Sequence, residues 1–135
     1  MDISHIEHIG IAVQNISDHL PYYENVLGLK CYNIEEVIDQ KVKTAFFKVG
    51  QTKIELLEPT SEESTIAKFI EKKGEGVHHI AFAVPDLTEA LSEAEGKNIQ
   101  LVDKIPRRGA EGLQIAFLHP KSTGSVLTEL CQQNY

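Results

Sequence analysis

The chain has 135 residues, of which 41% are hydrophobic and 24% are charged, and these proportions are typical of one globular domain with its own core. Its formal net charge of −7 disfavours non-specific nucleic-acid binding, which requires a basic surface that displaces phosphate counterions. No apolar run reaches the roughly 20 residues that cross a bilayer, so we expect neither a nucleic-acid partner nor a membrane role.

The first half of the chain predicts one βαβββ unit. Residues 6–13 form a β-branched run that is apolar on much of both faces, as in a buried strand. A helix is expected next, with Asn15 or Ser17 as its N-cap, Pro21 in its first turn and Gly28 as its C-terminal stop. Three further strands are expected over residues 31–37, 42–49 and 53–57.

The second half repeats this order after a connecting helix. Ser and Thr followed by acidic residues indicate a helix start, and Ile66, Phe69 and Ile70 then fall on one helical face. The second unit is predicted to contain a strand over 77–84, a helix over 86–94 and strands near 99–102, 113–119 and 125–130. We therefore expect a single α+β domain, 1–135, with modules at about 4–60 and 75–133 and the connector helix at about 61–73.

One sequence pattern occurs twice. Residues 8–16 return as residues 79–87, and each copy begins with a histidine. Later in each half, at a similar offset, an apolar strand carries one glutamate. The repeated polar residues are His8, Glu55, His79 and Glu129. A lone strand histidine or glutamate usually points to water, but four surface residues have no reason to fall at equivalent places in two copies.

The repeat predicts a metal site. If the two copies pack face to face around a pseudo-twofold axis, both histidines and both glutamates converge, and this set suits a divalent metal. Two neutral imidazoles and two carboxylates neutralise such an ion and leave two octahedral positions open. The mixed nitrogen and oxygen donors fit Co²⁺, Ni²⁺, Zn²⁺, Mn²⁺ or Fe²⁺ better than Mg²⁺, which prefers oxygen ligands and water.

An open metal of this kind favours proton abstraction next to a carbonyl group. It would polarise the carbonyl oxygen and stabilise the enolate that forms when the adjacent C–H bond loses its proton. Glu129 or Glu55 could combine metal ligation with proton transfer.

The residues resemble the vicinal oxygen chelate superfamily, whose members pair βαβββ modules around a metal. The closest resemblance is to the methylmalonyl-CoA epimerase family, and it extends over essentially the whole chain. It is carried by residues 5–13, 54–59, 64–69, 76–82 and 117–121, with His78-His79 and His119-Pro120-Lys121 as the more specific motifs. The resemblance implies that His8, Glu55, His79 and Glu129 bind the metal, that the substrate is an acyl-CoA whose C2 epimers are interconverted, and that the protein is a homodimer.

The resemblance also directs attention to acid/base and binding residues. Glu129 matches the family's ligand and base. Some members carry a second glutamate on the strand before the second ligand, whereas residues 40–45 here contain no carboxylate. Candidates for the second base are Glu55, Glu36, Lys43 or a metal-bound water. Arg107 and Lys121 fit as contacts for the substrate carboxylate or the CoA phosphates, although a plain surface role is the alternative.

Two other functions fit the same pattern. Glyoxalase I of this superfamily uses a nearly identical set of ligands, and only the connector and the 119–121 turn favour the epimerase over it. Metal-free proteins of this fold bind antibiotics, but the intact set of four ligands disfavours that function. Dioxygenase relatives usually have three ligands and often a longer chain.

The cysteines and the N-terminus indicate the compartment. Residues 1–4 show neither the basic start nor the apolar stretch of a secretion signal, so we expect a cytoplasmic protein. Cys31 and Cys131 lie far apart and outside any CxxC motif, and we expect both to be ordinary thiols.

Overall fold

The computed structural model describes residues 1–133 and confirms the predicted α+β class. The strands and α-helices are β1 (Ile6–Ala12), α1 (Ile16–Leu20), β2 (Cys31–Val37), β3 (Val42–Val49), β4 (Thr52–Pro59), α2 (Thr65–Lys73), β5 (Gly76–Val84), α3 (Leu87–Gly96), β6 (Arg107–Arg108), β7 (Gln114–Leu118) and β8 (Thr128–Gln132). None of the helices in this part of the chain combines the length and the apolar character needed to cross a membrane.

The chain divides into two compact units. The first unit is His8–His78, and the second unit combines Met1–Glu7 with the chain from His79 onward. The strand order is β2-β3-β4-β1 in the first unit and β6-β7-β8-β5 in the second. In each unit the first and last strands of the βαβββ order pair in parallel, and the other neighbours are antiparallel. The predicted βαβββ order is therefore present twice.

The first unit buries apolar side chains beneath both of its helices. Ile16 of α1 packs with Phe47 and Leu56 from β3 and β4. Ile66 of α2 packs with Leu57 and Val42 in a separate cluster. The side chain of Ser64, the residue before α2, accepts a hydrogen bond from the backbone N–H of Ala67, as expected for an N-cap.

The second unit has one main core, beneath α3. Leu87 and Leu91 of this helix are buried against Leu130 of β8 and Ala116 of β7. The carboxylate of Asp86 accepts a hydrogen bond from the backbone N–H three residues later and caps the helix.

Side chains that are distant in sequence also accept hydrogen bonds from the first turns of two helices, at equivalent places in the repeat. The backbone N–H of Ile16 donates to Oε1 of Glu58 at 2.8 Å, and that of Leu87 donates to Oε1 of Gln132 at 2.9 Å. Glu58 and Gln132 each lie three residues beyond the repeated glutamate of their unit. The last strand of each unit thus satisfies a backbone donor at the start of the helix that covers it.

The predicted position of Pro21 in a first turn is wrong. The α-helix begins earlier, at Ile16, so Pro21 lies at its C-terminal end and starts the π-helical segment Pro21–Val26. Proline has no backbone N–H to donate to the carbonyl four residues earlier, so the α-helical pattern is interrupted there. Gly28, with φ of +70°, follows as the expected stop.

The strand predicted near residues 99–102 is also wrong. Only Leu101 forms a bridge there, to Leu118, and the second strand of this unit is the two-residue β6. The backbone N–H of Phe117 on β7 donates to the carboxylate of Asp103 at 2.9 Å, so a side chain takes the place of a backbone carbonyl as its acceptor. The apolar pattern of residues 99–102 instead reflects packing of Ile99 and Leu101 against the α3 core.

Candidate metal centre

A buried histidine and a buried glutamate lie side by side in the first unit. Nδ1 of His8 is 3.2 Å from Oε2 of Glu55, and the two residues are only 5% and 4% exposed. They are neighbours because β1 and β4 pair in parallel with Gly10 opposite Glu55. Since alternate strand residues face the same side, His8 and Gly10 share the face towards which Glu55 points.

The second unit contains the same pair. Nε2 of His79 is 3.1 Å from Oε1 of Glu129, and these residues are 5% and 3% exposed. Here β5 and β8 pair in parallel with Ala81 opposite Glu129. In both units the glutamate is therefore opposite the residue that lies two positions after the histidine.

The repeat extends to the strand on the other side of each glutamate. Phe46 lies opposite Glu55 on β3, and Phe117 lies opposite Glu129 on β7. The ring of Phe117 also packs edge-on against the imidazole of His79, with centroids 5.3 Å apart. The aromatic side chain and the backbone register thus recur with the histidine and the glutamate. The two pairs therefore occupy equivalent positions in the two copies of the repeat.

The two carboxylates differ in their second neighbours. Nζ of Lys53 lies 4.0 Å from Oε2 of Glu55, and both side chains are buried. Sγ of Cys131 donates to Oε2 of Glu129 at 2.9 Å, also in the interior. Lys53 precedes its glutamate by two residues and Cys131 follows its glutamate by two, so each shares the glutamate's side of the strand.

The predicted substrate contacts, Arg107 and Lys121, are both exposed. The guanidinium carbon of Arg107 lies 5.5 Å from the ring centroid of Phe117, and Nε of Arg107 is 3.2 Å from the carboxylate of Asp103. The ring of Phe117 therefore contacts both Arg107 and His79. Lys121 lies on the short 3₁₀ turn Pro120–Ser122, and its backbone N–H donates to Nδ1 of His119.

The candidates for the second base differ in the face of the sheet on which they lie. Glu36 and Lys43 are exposed and lie opposite each other on β2 and β3. The β3–β4 register turns Lys43, and with it Glu36, to the face opposite that of Glu55. Glu35 lies opposite Thr44 and therefore shares the face of Glu55. The sequence analysis missed Glu35 because a shift of one residue in a strand exchanges the two faces.

The other four histidines each contact a residue outside the two pairs. The ring of His78 packs edge-on against Phe69, as expected from its pointing away from its neighbour His79. His5 bonds to the hydroxyl of Ser4, and His19 bonds to a glutamate outside the repeat.

Comparison with protein families gives the class. The model of the glyoxalase/bleomycin resistance protein/dioxygenase superfamily matches residues 7–117. The chain therefore belongs to this superfamily, and its duplicated βαβββ order agrees with that assignment.

Individual relatives narrow the class. An uncharacterized protein of Bacillus subtilis is 48% identical over 96% of this chain and 93% of its own length. The mitochondrial methylmalonyl-CoA epimerase of Dictyostelium discoideum is 36% identical over 95% of this chain and 78% of its own. A solved structure of a single-substitution variant of Streptomyces coelicolor methylmalonyl-CoA epimerase, in complex with 2-nitronate-propionyl-CoA, is 36% identical, with a TM-score of 0.94 over 98% of this chain and 96% of that one. Within the superfamily the chain belongs to the methylmalonyl-CoA epimerase family, and it is an epimerase.

Proposed function

We propose that the protein interconverts the two C2 epimers of methylmalonyl-CoA, by removing and returning the proton next to the thioester carbonyl at a divalent metal. The observation that carries the proposal is the duplicated buried pair of histidine and glutamate, His8 with Glu55 and His79 with Glu129. The relatives that are named as methylmalonyl-CoA epimerases support the choice of substrate.

The donor atoms of each pair fit a divalent metal. Two neighbouring ligands, each about 2.1 Å from an ion, lie about 3 Å apart when their bonds meet at a right angle. The separations of 3.2 and 3.1 Å within the pairs agree with this value. We propose that His8, Glu55, His79 and Glu129 hold one ion, and that Co²⁺, Ni²⁺, Zn²⁺ or Mn²⁺ suits this mixed set. When bound, the ion stabilises the negative charge that proton removal places on the carbonyl oxygen.

Epimerisation requires two proton-transfer groups, because the proton leaves one face of C2 and returns to the other. We assign one transfer to Glu129 and the other to Glu55. Both are buried carboxylates beside a histidine, and a carboxylate held in position can accept and return a proton. Glu36 and Lys43 are weaker choices because they lie on the opposite face of the sheet from Glu55.

We assign the anionic parts of the substrate to Arg107 and Lys121. A guanidinium group can bind a carboxylate or a phosphate through two hydrogen bonds, and Arg107 is held near the second pair through its contact with Phe117. Lys121 is exposed and can contribute a point charge. These contacts would select an acyl-CoA that carries its own carboxylate.

We further propose that the two units form one domain and that the protein is a homodimer in the cytoplasm. Light scattering after size-exclusion chromatography should then give a mass near twice the 15.1 kDa of one chain. A mass near that of one chain would contradict the dimer without affecting the proposed reaction.

The direct test is proton NMR in D₂O. The protein loaded with Co²⁺ is mixed with methylmalonyl-CoA, and a parallel sample receives methylglyoxal and glutathione, the substrates of glyoxalase I. We expect metal-dependent loss of the C2 proton signal in the first sample, stopped by EDTA, and no formation of S-lactoylglutathione in the second.

Each outcome separates the candidate functions. Formation of S-lactoylglutathione with no exchange at C2 would assign the glyoxalase reaction instead. Exchange that persists at full rate after EDTA treatment and removal of the chelated metal would keep the substrate but contradict the metal mechanism. No reaction in either sample would contradict both enzyme assignments.

A further inference from the structure

The carboxylate of Glu129 is contacted at both of its oxygens. Oε1 lies 3.1 Å from Nε2 of His79, and Oε2 accepts a hydrogen bond from Sγ of Cys131 at 2.9 Å. The thiol is fully buried, with an exposed fraction of 0%, and it packs with Ala81 and Ile115. A donor in so enclosed a position fixes the rotation of the carboxylate, because the group cannot turn without losing a contact that water cannot replace.

This contact has no counterpart in the first unit. The residue that corresponds to Cys131 there is Leu57, two positions after Glu55, and it packs in an apolar cluster with Ile66 of α2. Glu55 has the ammonium group of Lys53 beside it instead. The thiol is therefore not a general requirement of the repeated strand and acts on one glutamate of the two.

We infer that Cys131 is a positioning residue for Glu129: its S–H group holds Oε2 and thereby keeps Oε1 directed to the metal position beside His79. The inference rests on the proposed metal site. Side chains that orient a metal ligand through a hydrogen bond commonly change metal affinity or activity by about 10-fold to 100-fold when they are removed. A thiol is a weak donor, so we place the effect at the lower end of this range.

The test compares three substitutions of one residue. Cys131→Ser retains a donor, Cys131→Ala removes it, and Cys131→Val removes it while filling the volume. Cys31→Ala is the matched control, because Cys31 is on edge strand β2 of the first unit and its thiol contacts a backbone carbonyl. Co²⁺ affinity is measured by calorimetry, and the visible absorption of the Co²⁺ protein reports the ligand geometry. Thermal unfolding of the metal-free variants measures the purely structural effect.

We expect Cys131→Ala and Cys131→Val to bind Co²⁺ about tenfold more weakly than the unmodified protein, with an altered absorption spectrum. Cys131→Ser and Cys31→Ala should stay within about threefold, since the first keeps a donor and the second leaves the pair intact. If the alanine variant does not fold, the valine variant provides the same comparison with serine.

Two other results would overturn the inference. Equal Co²⁺ affinity and spectra for the serine, alanine and valine variants would show that the hydrogen bond does not position Glu129, and would leave the proposed function intact. Failure of the unmodified protein to bind Co²⁺ would overturn both the metal site and the role of Cys131.

Discussion

Glu55 and Glu129 occupy the same register in their respective units. Glu55 lies opposite Gly10, and Glu129 lies opposite Ala81. Gly10 and Ala81 each follow, by two residues, the histidine that the glutamate contacts. A parallel pairing of the first and last strands therefore places one imidazole and one carboxylate together in each half of the chain. This geometry explains why the residues that recur in the sequence repeat are the residues to which the chemistry is assigned.

Substitution Glu129→Gln tests the assigned base. The amide keeps the size of the side chain but cannot accept the C2 proton, so kcat should fall by about 10² to 10⁴. The thermal midpoint should move by only about 4 °C, equivalent to roughly 1 kcal/mol, because packing is unchanged. Exchange at C2 in D₂O and a thermal unfolding curve give the two numbers, and an unchanged rate would remove the role of Glu129.

Substitution Glu55→Gln tests the second transfer, with Glu35→Gln and Glu36→Gln as comparisons. Glu55→Gln should reduce epimer interconversion by at least about tenfold, because one face of C2 loses its proton-transfer group. Starting from each pure epimer shows which face is affected. Glu36→Gln should retain the normal rate, since Glu36 points away from Glu55. A larger loss in Glu35→Gln than in Glu55→Gln would move the assignment to Glu35.

His78 and His79 are consecutive residues, and substituting each in turn provides a matched test of metal binding. His79→Ala removes a proposed ligand and should weaken Co²⁺ binding by at least about tenfold. His78→Ala removes a ring that packs on Phe69, so it should change stability but not metal affinity. Calorimetric titration of the metal-free variants with Co²⁺ measures both, and equal affinities would contradict the assignment of His79.

Arg107→Gln tests substrate recognition, with Arg108→Gln as the neighbouring control on the same short strand. Loss of a charge-assisted hydrogen bond of about 1.5–3 kcal/mol should raise KM by about tenfold or more. The value of kcat should change little, because the contact is present in both the ground state and the transition state. Lys121→Gln should show the same pattern. Steady-state kinetics with methylmalonyl-CoA would contradict these roles if KM were unchanged.

The carboxylate of Glu75 makes hydrogen bonds in the first unit that should make the stability of the protein depend on pH in the acid range. It accepts the backbone N–H of Gln14 and bonds to Nε2 of His19. These hydrogen bonds, the backbone one foremost, hold the pKa of Glu75 below its ordinary value of 4.5. Because the folded pKa is the lower one, the stabilisation is complete above the unfolded value and is lost as the pH falls through the folded value.

Substitution Glu75→Gln should therefore lower stability at neutral pH and flatten its decline below about pH 4.5. Glu71→Gln makes the same charge change at an exposed position of α2 and serves as the control. Urea unfolding between pH 3 and pH 7 measures both variants. Parallel pH curves for Glu75→Gln and the unmodified protein would exclude this contact as a source of acid sensitivity.

The strands were predicted well where one local pattern determines them. The bounds of β2 and β3 agree with the prediction, because alternating or continuous apolar side chains identify a strand without knowledge of its partner. The strand predicted near residues 99–102 was wrong because this segment forms only a single bridge to β7, whereas its apolar pattern arises from packing of Ile99 and Leu101 against the α3 core. The start of α1 was unclear because its long-range partner, Glu58, lies 42 residues further along the chain.

The sequence by itself determined the repeat, the α+β class and the choice of His8, Glu55, His79 and Glu129 as candidate metal ligands, because residue types and their spacing are local properties of the chain. Only the tertiary structure decided which atoms meet within each unit. The 3 Å contacts, the thiol of Cys131 on Glu129 and the ammonium of Lys53 near Glu55 depend on strand register. Register is set by packing across the whole sheet, and a shift of one residue would have turned each of these side chains to the opposite face.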